Sequence, residues 1–403
     1  MRSIYLDHAA TTPLDPRVRE AMLPFENELY GNPSSFNSAG KIVKDEIDEA
    51  RASIAKQLNC RPDEIIFTSG GTESNNLAIL GFCRAIKPSI AHPHIITTTI
   101  EHPSVLEALR HLEAKEGFRV THLPVDGFGR VQPKQLEAAL TPQTVFVSIM
   151  YANNEIGTVQ PIAELGNIIK KFRASLPMSN CQLPIFHTDA CQASGALDLN
   201  IEKLHVDMLT LNGSKMYGPK GSGLLYVKRG IKLQPLQFGG SQEKALRPGT
   251  ENVAGIIGLA KALQIAQVEK EKENARLIPL RDKLIEGILK LPKTRLNGHP
   301  TERLPNNVNV SILDIEGEAT ILYLDAKWVY ASTGSACTSA SLDPSHVILA
   351  LGLPYEVAHG SMRFTLGRST TEEDIDYVLQ VLPPIVQLLR SMSPVNVDSK
   401  YFT

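Results

Sequence analysis

Glu64-Ile-Ile-Phe-Thr-Ser-Gly-Gly-Thr-Glu73 joins a short run of large apolar residues to a pair of glycines and the opening of a helical pattern. Isoleucine and phenylalanine favour the pleated backbone of a strand, and glycine turns tightly without the steric cost of a Cβ. Upstream, Val43, Ile47, Ala50, Ile54 and Leu58 recur every three or four residues, which puts them on one face of a helix. Downstream, strand-type runs recur at residues 94–100, 144–149, 183–188, 206–211 and 223–227, with helical patterns between most of them. Strands separated by helix-length segments predict a mostly parallel sheet covered by helices. Ligands of such sheets bind beyond the carboxyl ends of the strands.

The pattern changes after about residue 265. A long polar-rich helical stretch over residues 252–291, which Pro279 is placed to interrupt, leads to strand-type runs at 308–312, 328–331 and 362–366 and helical patterns at 316–324 and 372–389. These predict a smaller α/β domain. The expected organisation is a large domain over residues 14–265, a small domain over 1–13 and 266–390, and a polar tail over 391–403. A chain of 403 residues buries enough surface to fold without disulfides or a structural metal.

Hydrophobic residues make up 42% and charged residues 21%, a balance that excludes a disordered, collagen-like or coiled-coil chain. The 41 Lys and Arg against 43 Asp and Glu leave a formal charge of -2, so nothing draws the chain globally to nucleic acid or to an anionic membrane. Cys60, Cys83, Cys181, Cys191 and Cys337 stand singly, without metal-ligand or redox spacing, which predicts a reducing compartment. No charged and apolar leader and no stretch approaching 18 apolar residues is evident, so a cytoplasmic protein without a membrane span is expected.

Several segments carry candidate chemistry. Gly71 and Thr72 lie where free N–H groups at a helix start could cradle a phosphate, although a plain glycine turn reads equally from these residues. Glu101-His102-Pro103 closes one strand, where a catalytic or an ordinary loop histidine would stand. His187-Thr-Asp189 closes another, and a carboxylate there needs a cation, such as a protonated ring nitrogen, or the amides of a helix it caps. Lys215 in Asn212-Gly-Ser-Lys-Met-Tyr-Gly218 is a candidate for Schiff-base chemistry or a surface lysine, and Lys220 in the Gly-Pro turn is a weaker one. Ala331-Ser-Thr-Gly-Ser-Ala-Cys-Thr-Ser-Ala-Ser341 is too poor in large apolar residues to pack, so it is expected to display Cys337, with a helix following from about Asp343. Arg363 alternates with Met362 and Phe364 and could hold a carboxylate with two hydrogen bonds or form a structural ion pair.

Taken together these residues resemble the cysteine desulfurases of the aminotransferase class V family. The likeness starts at Tyr5-Leu-Asp-His-Ala-Ala-Thr-Thr-Pro13 and Gly31-Asn-Pro33. It continues through Thr72, Glu101-His102, Asn153-Asn-Glu-Ile-Gly157, His187-Thr-Asp-Ala-Cys-Gln192, the Lys215 segment, Arg247-Pro-Gly-Thr250, the Cys337 stretch and Arg363. The resemblance implies fold type I of the pyridoxal-phosphate enzymes, with a mostly parallel seven-stranded sheet. It also implies a role for each matching residue. Lys215 would hold the cofactor and later move the Cα proton. Asp189 would pair with the pyridine nitrogen, His102 would stack on the ring and assist proton transfer at sulfur, and Gln192 would bond the ring oxygen. Gly71, Thr72, Asn212 and Ser214 would meet the phosphate, with Thr250 reaching it across a homodimer. Asn154 and Arg363 would orient L-cysteine, and Cys337 would take its sulfur as a persulfide for an iron–sulfur scaffold or a tRNA-thiolation acceptor.

The family commonly has Ser-Gly-His-Lys where this chain has Asn212-Gly213-Ser214-Lys215, so a possible imidazolium charge near the phosphate is missing and weaker cofactor binding is expected. The tail over 395–403 is shorter than the extension with which some relatives dock a scaffold. Selenocysteine lyase and a catalytically silent sulfur-handling adaptor are the alternative functions; retention of Lys215 and Asp189 counts against the adaptor.

Overall fold

The computed structural model describes residues 3–87, 90–177, 182–334 and 344–393. Asn37 Oδ1 accepts from the Gly40 amide at 2.9 Å and starts the helix Ser38–Leu58, which Asn59 closes in the left-handed conformation. All five residues of its apolar stripe are buried. Beyond it stand seven strands: β1 (Ile65–Thr68), β2 (His94–Thr98), β3 (Arg119–Leu123), β4 (Thr144–Ser148), β5 (Ile185–Asp189), β6 (Met208–Asn212) and β7 (Gly223–Val227).

They form one sheet in the order β1-β7-β6-β5-β4-β2-β3. Only β7 runs against the rest, antiparallel to both β1 and β6, while β6, β5, β4, β2 and β3 are mutually parallel. The sheet is therefore the mostly parallel one expected. Alternate residues enter different cores. Phe67, Leu209 and Leu224 join Val43, Leu165 and Leu259 on one face, and Ile66, Met208 and Leu225 join Leu77, Val105 and Leu109 on the other. Each such side chain removed from water contributes about 1.5–3 kcal/mol. The strand β3 was not anticipated, because it is an edge strand whose Arg119 and His122 are exposed and so lacks an apolar run.

The helix Val253–Leu289 continues through Pro279, contrary to the expected break. Proline removes a backbone hydrogen bond and crowds the preceding turn, but Leu277, Leu284, Ile285 and Ile288 around it are buried in a second core that offsets this cost. That core lies on an antiparallel sheet in which Asn307–Ile312 is flanked by Thr294–Asn297 and Ser361–Thr365, with the helix Glu372–Met392 supplying Ile375, Val378 and Leu382. Thr294–Asn297 was also missed, since only its last residue is fully buried. Ile4–Tyr5 pairs in parallel with Val329–Tyr330, and Leu6 enters the same core. The helix expected from about Asp343, which lies outside the described residues, is observed over His346–Ala350 with Ser345 as its cap. No helix among the described residues is long and apolar enough to cross a membrane.

Candidate active site

At the carboxyl edge of the large sheet a cavity of about 220 Å3 is lined by Gly71, Thr72, His102, Asn154, Asp189, Gln192, Asn212, Lys215 and Arg363, among others. Lys215 sits one short turn past β6. Asn212 Oδ1 shapes that turn by accepting from the Ser214 amide and the Ser214 hydroxyl, both at 3.1 Å. The Lys215 ammonium donates to the carbonyls of Ala9 at 3.0 Å and Ala10 at 2.5 Å. Gln192 Nε2 donates to the Ala9 carbonyl at 3.1 Å, and Thr12 ties the same N-terminal segment to the Ser214 carbonyl. Lys220, by contrast, is exposed.

Asp189 ends β5 and is buried. Its Oδ2 accepts from Asn75 Nδ2 at 2.7 Å and its Oδ1 from the Cys191 amide at 3.0 Å, so the carboxylate both shapes its own turn and faces the cavity. Gly71 starts a helix against this turn, where a Cβ would lie 2.9 Å from Cys191 Sγ, and only glycine allows that approach. His102 caps the helix Pro103–Glu116 by accepting from the Ser104 amide at Nδ1, which leaves Nε2 as the protonated nitrogen of the neutral ring. Burial lowers its pKa, with Lys215 adding and Asp189 opposing. The ring is therefore neutral at neutral pH.

Arg363 is 1% exposed. The ion pair read from its sequence is present, since Nη2 pairs with Asp7 at 2.8 Å and Nη1 donates to the Asn154 carbonyl at 3.1 Å, and the side chain also lines the cavity. Met362 and Phe364 point into the second core. Thr250 is exposed and is not part of the cavity wall in this chain. Cys337 and Cys181 lie outside the described residues. Cys60, Cys83 and Cys191 have thiol pKa values raised by burial, that of Cys60 to about 12, so none of these three is an activated nucleophile. Among the described residues no cluster of metal-ligating side chains occurs.

The sequence profile described as Aminotransferase class-V matches residues 4–378. The chain belongs to the aminotransferase class-V family. It is 52% identical to the cysteine desulfurase IscS of Methanosarcina thermophila over 395 residues, covering 98% of this chain and 95% of the relative. The cysteine desulfurase IscS of Dictyoglomus turgidum is 50% identical over 400 residues, covering 99% and 98%. A solved structure described as a NifS-like protein matches with a TM-score of 0.87 and 36% identity, over 96% of this chain and 99% of its own. Aminotransferase class-V enzymes of the cysteine desulfurase type depend on pyridoxal phosphate. The residues of this cavity fit that cofactor: an amine, a buried carboxylate, a neutral imidazole, side-chain amides and a helix start face one space. Asn75 Oδ1 and Arg363 Nε on its wall are buried polar atoms without a hydrogen-bond partner among the described residues.

Sequence reasoning missed the Ala9 and Ala10 carbonyls and Asn75. Backbone acceptors have no residue-type signature, and Asn75 reads as one more polar helix residue. It also passed over Glu101 as an acid. This fully buried carboxyl accepts from the Met150 amide at 2.9 Å and the Thr98 hydroxyl at 2.7 Å, and burial pushes its pKa up to about 8.

The buried histidines and Glu101 set opposing slopes of stability with pH. Burial holds His94 and His187 down to about 4, so their contribution is full above the ordinary value of 6.5 and is lost as pH falls below it. Glu101, raised from 4.5 to about 8, contributes fully below 4.5 and loses that contribution as pH rises to about 8. Each such proton is worth about 1.4 kcal/mol per pH unit. The midpoint of thermal unfolding is expected to rise between pH 4.5 and 6.5, where two rings outweigh one carboxyl, and to fall again towards pH 8. E101Q removes the fall above pH 6.5, and differential scanning calorimetry across this range checks both limbs.

Proposed function

We propose that this chain is a pyridoxal-phosphate-dependent cysteine desulfurase, which converts L-cysteine and the Cys337 thiol into L-alanine and a Cys337 persulfide. The observation that carries the reading is the meeting of Lys215, buried Asp189 and neutral His102 on one cavity in a chain about half identical to two cysteine desulfurases. Bound pyridoxal phosphate supplies an aldehyde that takes an amine and a ring that accepts the electron pair of a deprotonated Cα.

Lys215 would hold the cofactor and would move the substrate Cα proton. Asp189, oriented by Asn75 and the Cys191 amide, would pair with the ring nitrogen and keep it protonated. His102 would lie against the ring and exchange a proton at the substrate sulfur through Nε2, since Nδ1 is held by Ser104. Gln192 would bond the ring oxygen, and Gly71, Thr72, Asn212 and Ser214 would hold the phosphate. Arg363 binds the substrate carboxylate from a position fixed by Asp7, with Asn154 beside it. The Cys337 thiolate attacks the substrate sulfur. The sulfur–sulfur bond forms as the carbon–sulfur bond breaks, and the released electron pair stays with the carbon, which gains protons to become L-alanine.

The same reading takes residues 14–265 as the cofactor-binding domain and residues 1–13 with 266–390 as the small one. It makes the protein a cytoplasmic homodimer in which Thr250 reaches the neighbouring subunit's phosphate. The exposed Tyr30, Phe36 and Phe238 support such an interface. The sulfur acceptor is then an iron–sulfur scaffold or a tRNA-thiolation protein. Mass spectrometry of the cofactor-loaded protein after brief exposure to L-cysteine tests the reading. A sulfur adduct on Cys337 with matching alanine is expected, and C337A should lose both sustained turnover and the adduct. Alanine without the adduct would favour direct sulfur release, and neither product with no cofactor bound would favour a silent adaptor.

A further inference from the structure

The turn over residues 153–157 brings Asn154 to the cavity wall, and four successive backbone carbonyls of that turn are held from one side. The Asn154 carbonyl accepts from Arg363 Nη1 at 3.1 Å, and the Glu155 carbonyl accepts from Asn307 and Asn309, each at 3.2 Å. The Ile156 carbonyl accepts from Arg303 Nη2 at 3.1 Å, and the Gly157 carbonyl from the Leu304 amide at 2.9 Å. Every one of these donors lies in the antiparallel sheet or in a connection between its strands. Two glycines permit so close an approach. Gly157 has φ 74° and Gly298 φ 85°, and a Cβ on them would lie 2.7 Å from the Asn307 Cβ and 2.4 Å from the Ile156 carbonyl oxygen.

Arg303 is 5% exposed, and all four of its hydrogen bonds among the described residues end on backbone carbonyls. Nε donates to Asn307 at 3.2 Å, Nη1 to His299 at 3.2 Å, and Nη2 to Ile156 at 3.1 Å and Asn297 at 3.3 Å. No carboxylate is among these partners. A guanidinium out of water is tolerated only where several acceptors converge on it, and its planar fork fixes the angles between them, as a lysine ammonium does not. Three of the four acceptors belong to the antiparallel sheet and its connection, while the fourth is two residues from Asn154. The sheet is thus the rigid side of the contact, and the turn is the part that Arg303 places.

We propose that Arg303 is a positioning residue for the substrate: by holding the Ile156 carbonyl against the antiparallel sheet, it sets how Asn154 stands to Arg363 across the cavity, and so how tightly an amino-acid carboxylate is bound. The identity of that amino acid, L-cysteine, rests on the desulfurase reading above; the placement of Asn154 by Arg303 does not. Lys215, Asp189 and the helix start at Gly71 stand on the large sheet instead. Arg303 therefore tunes amino-acid affinity apart from cofactor affinity. Small displacements of a positioning group are costly, which makes the contact measurable.

The test titrates the cofactor-loaded protein with L-alanine, followed through the cofactor absorbance, beside KM and kcat for L-cysteine, the affinity for pyridoxal phosphate and the thermal midpoint. R303M keeps an unbranched side chain and removes the fork. L-alanine affinity is expected to fall and KM for L-cysteine to rise, each about tenfold, with kcat and pyridoxal phosphate affinity within about twofold of wild type. R303K, which keeps the cation but not the fork, should shift the same two quantities about threefold. N154A should weaken L-alanine binding comparably, and R303M/N154A should be no worse than N154A, because both act on one contact. A purely structural arginine would instead lower the thermal midpoint and pyridoxal phosphate affinity together. Unchanged L-alanine affinity in the Arg303 variants, an equal loss of cofactor affinity, or additive losses in the double variant would overturn the proposal, as would a wild type that binds no L-alanine. Should R303M not fold, R303K and R303K/N154A decide by the same criteria. If wild type binds L-alanine but makes none from L-cysteine, the desulfurase reading fails, and the titrations still decide the role of Arg303.

Discussion

Lys215→Ala will stop alanine release from L-cysteine, a loss of at least about 10³-fold, and the protein will no longer carry a visible absorbance band after gel filtration. On the proposed reading the loss would combine two functions of one amine, attachment of the cofactor and movement of the Cα proton, and proton transfer alone is worth about 10²–10⁴-fold. The structural cost should be small. The Lys215 ammonium rests on the carbonyls of Ala9 and Ala10, while the N-terminal segment keeps its bonds through Thr12 and Gln192. K220A is the matched control: that lysine is exposed in the Gly-Pro turn, and its loss should leave both readouts unchanged. A K215A protein that still released alanine would remove the basis of the assignment.

Asp189→Ala should be nearly as severe. Removing one partner of a buried charge pair costs about 3–5 kcal/mol, which corresponds to about 10²–10⁴-fold in cofactor retention and turnover together. The cofactor-free protein should also lose stability, because alanine leaves the buried donors Asn75 Nδ2 and the Cys191 amide without their acceptor, a cost of about 1–3 kcal/mol. D189N keeps the shape and removes only the charge. If D189N bound the cofactor and turned over like wild type, Asp189 would be a turn-forming residue and nothing more. Absorbance titration with pyridoxal phosphate beside unfolding scans of the free protein separates the two effects.

The legibility of the fold followed burial. The strands β2, β4, β5, β6 and β7 are covered on both faces over nearly all their length and so read as short runs rich in β-branched and large apolar residues, whereas β3 and Thr294–Asn297 are partly open to water and lack that signal. Pro279 misled for a related reason: its local cost is real, but the core formed by Leu277, Leu284 and Ile285 is assembled from residues far away in the chain. At the cavity, charged and titratable side chains at strand ends were visible one by one. Their partners were not.

What the sequence by itself determined was the α/β architecture and the kinds of chemistry available, because apolar periodicity and residue type are local properties. Only the tertiary structure decided that Lys215 is held by backbone carbonyls some 200 residues away, that Arg363 is both an ion-pair partner and a wall of the cavity, and that the buried Glu155 carboxylate accepts from the Ser345 hydroxyl. Hydrogen-bond partners, burial and the pKa shifts they cause depend on which distant groups the folded chain brings within about 3 Å.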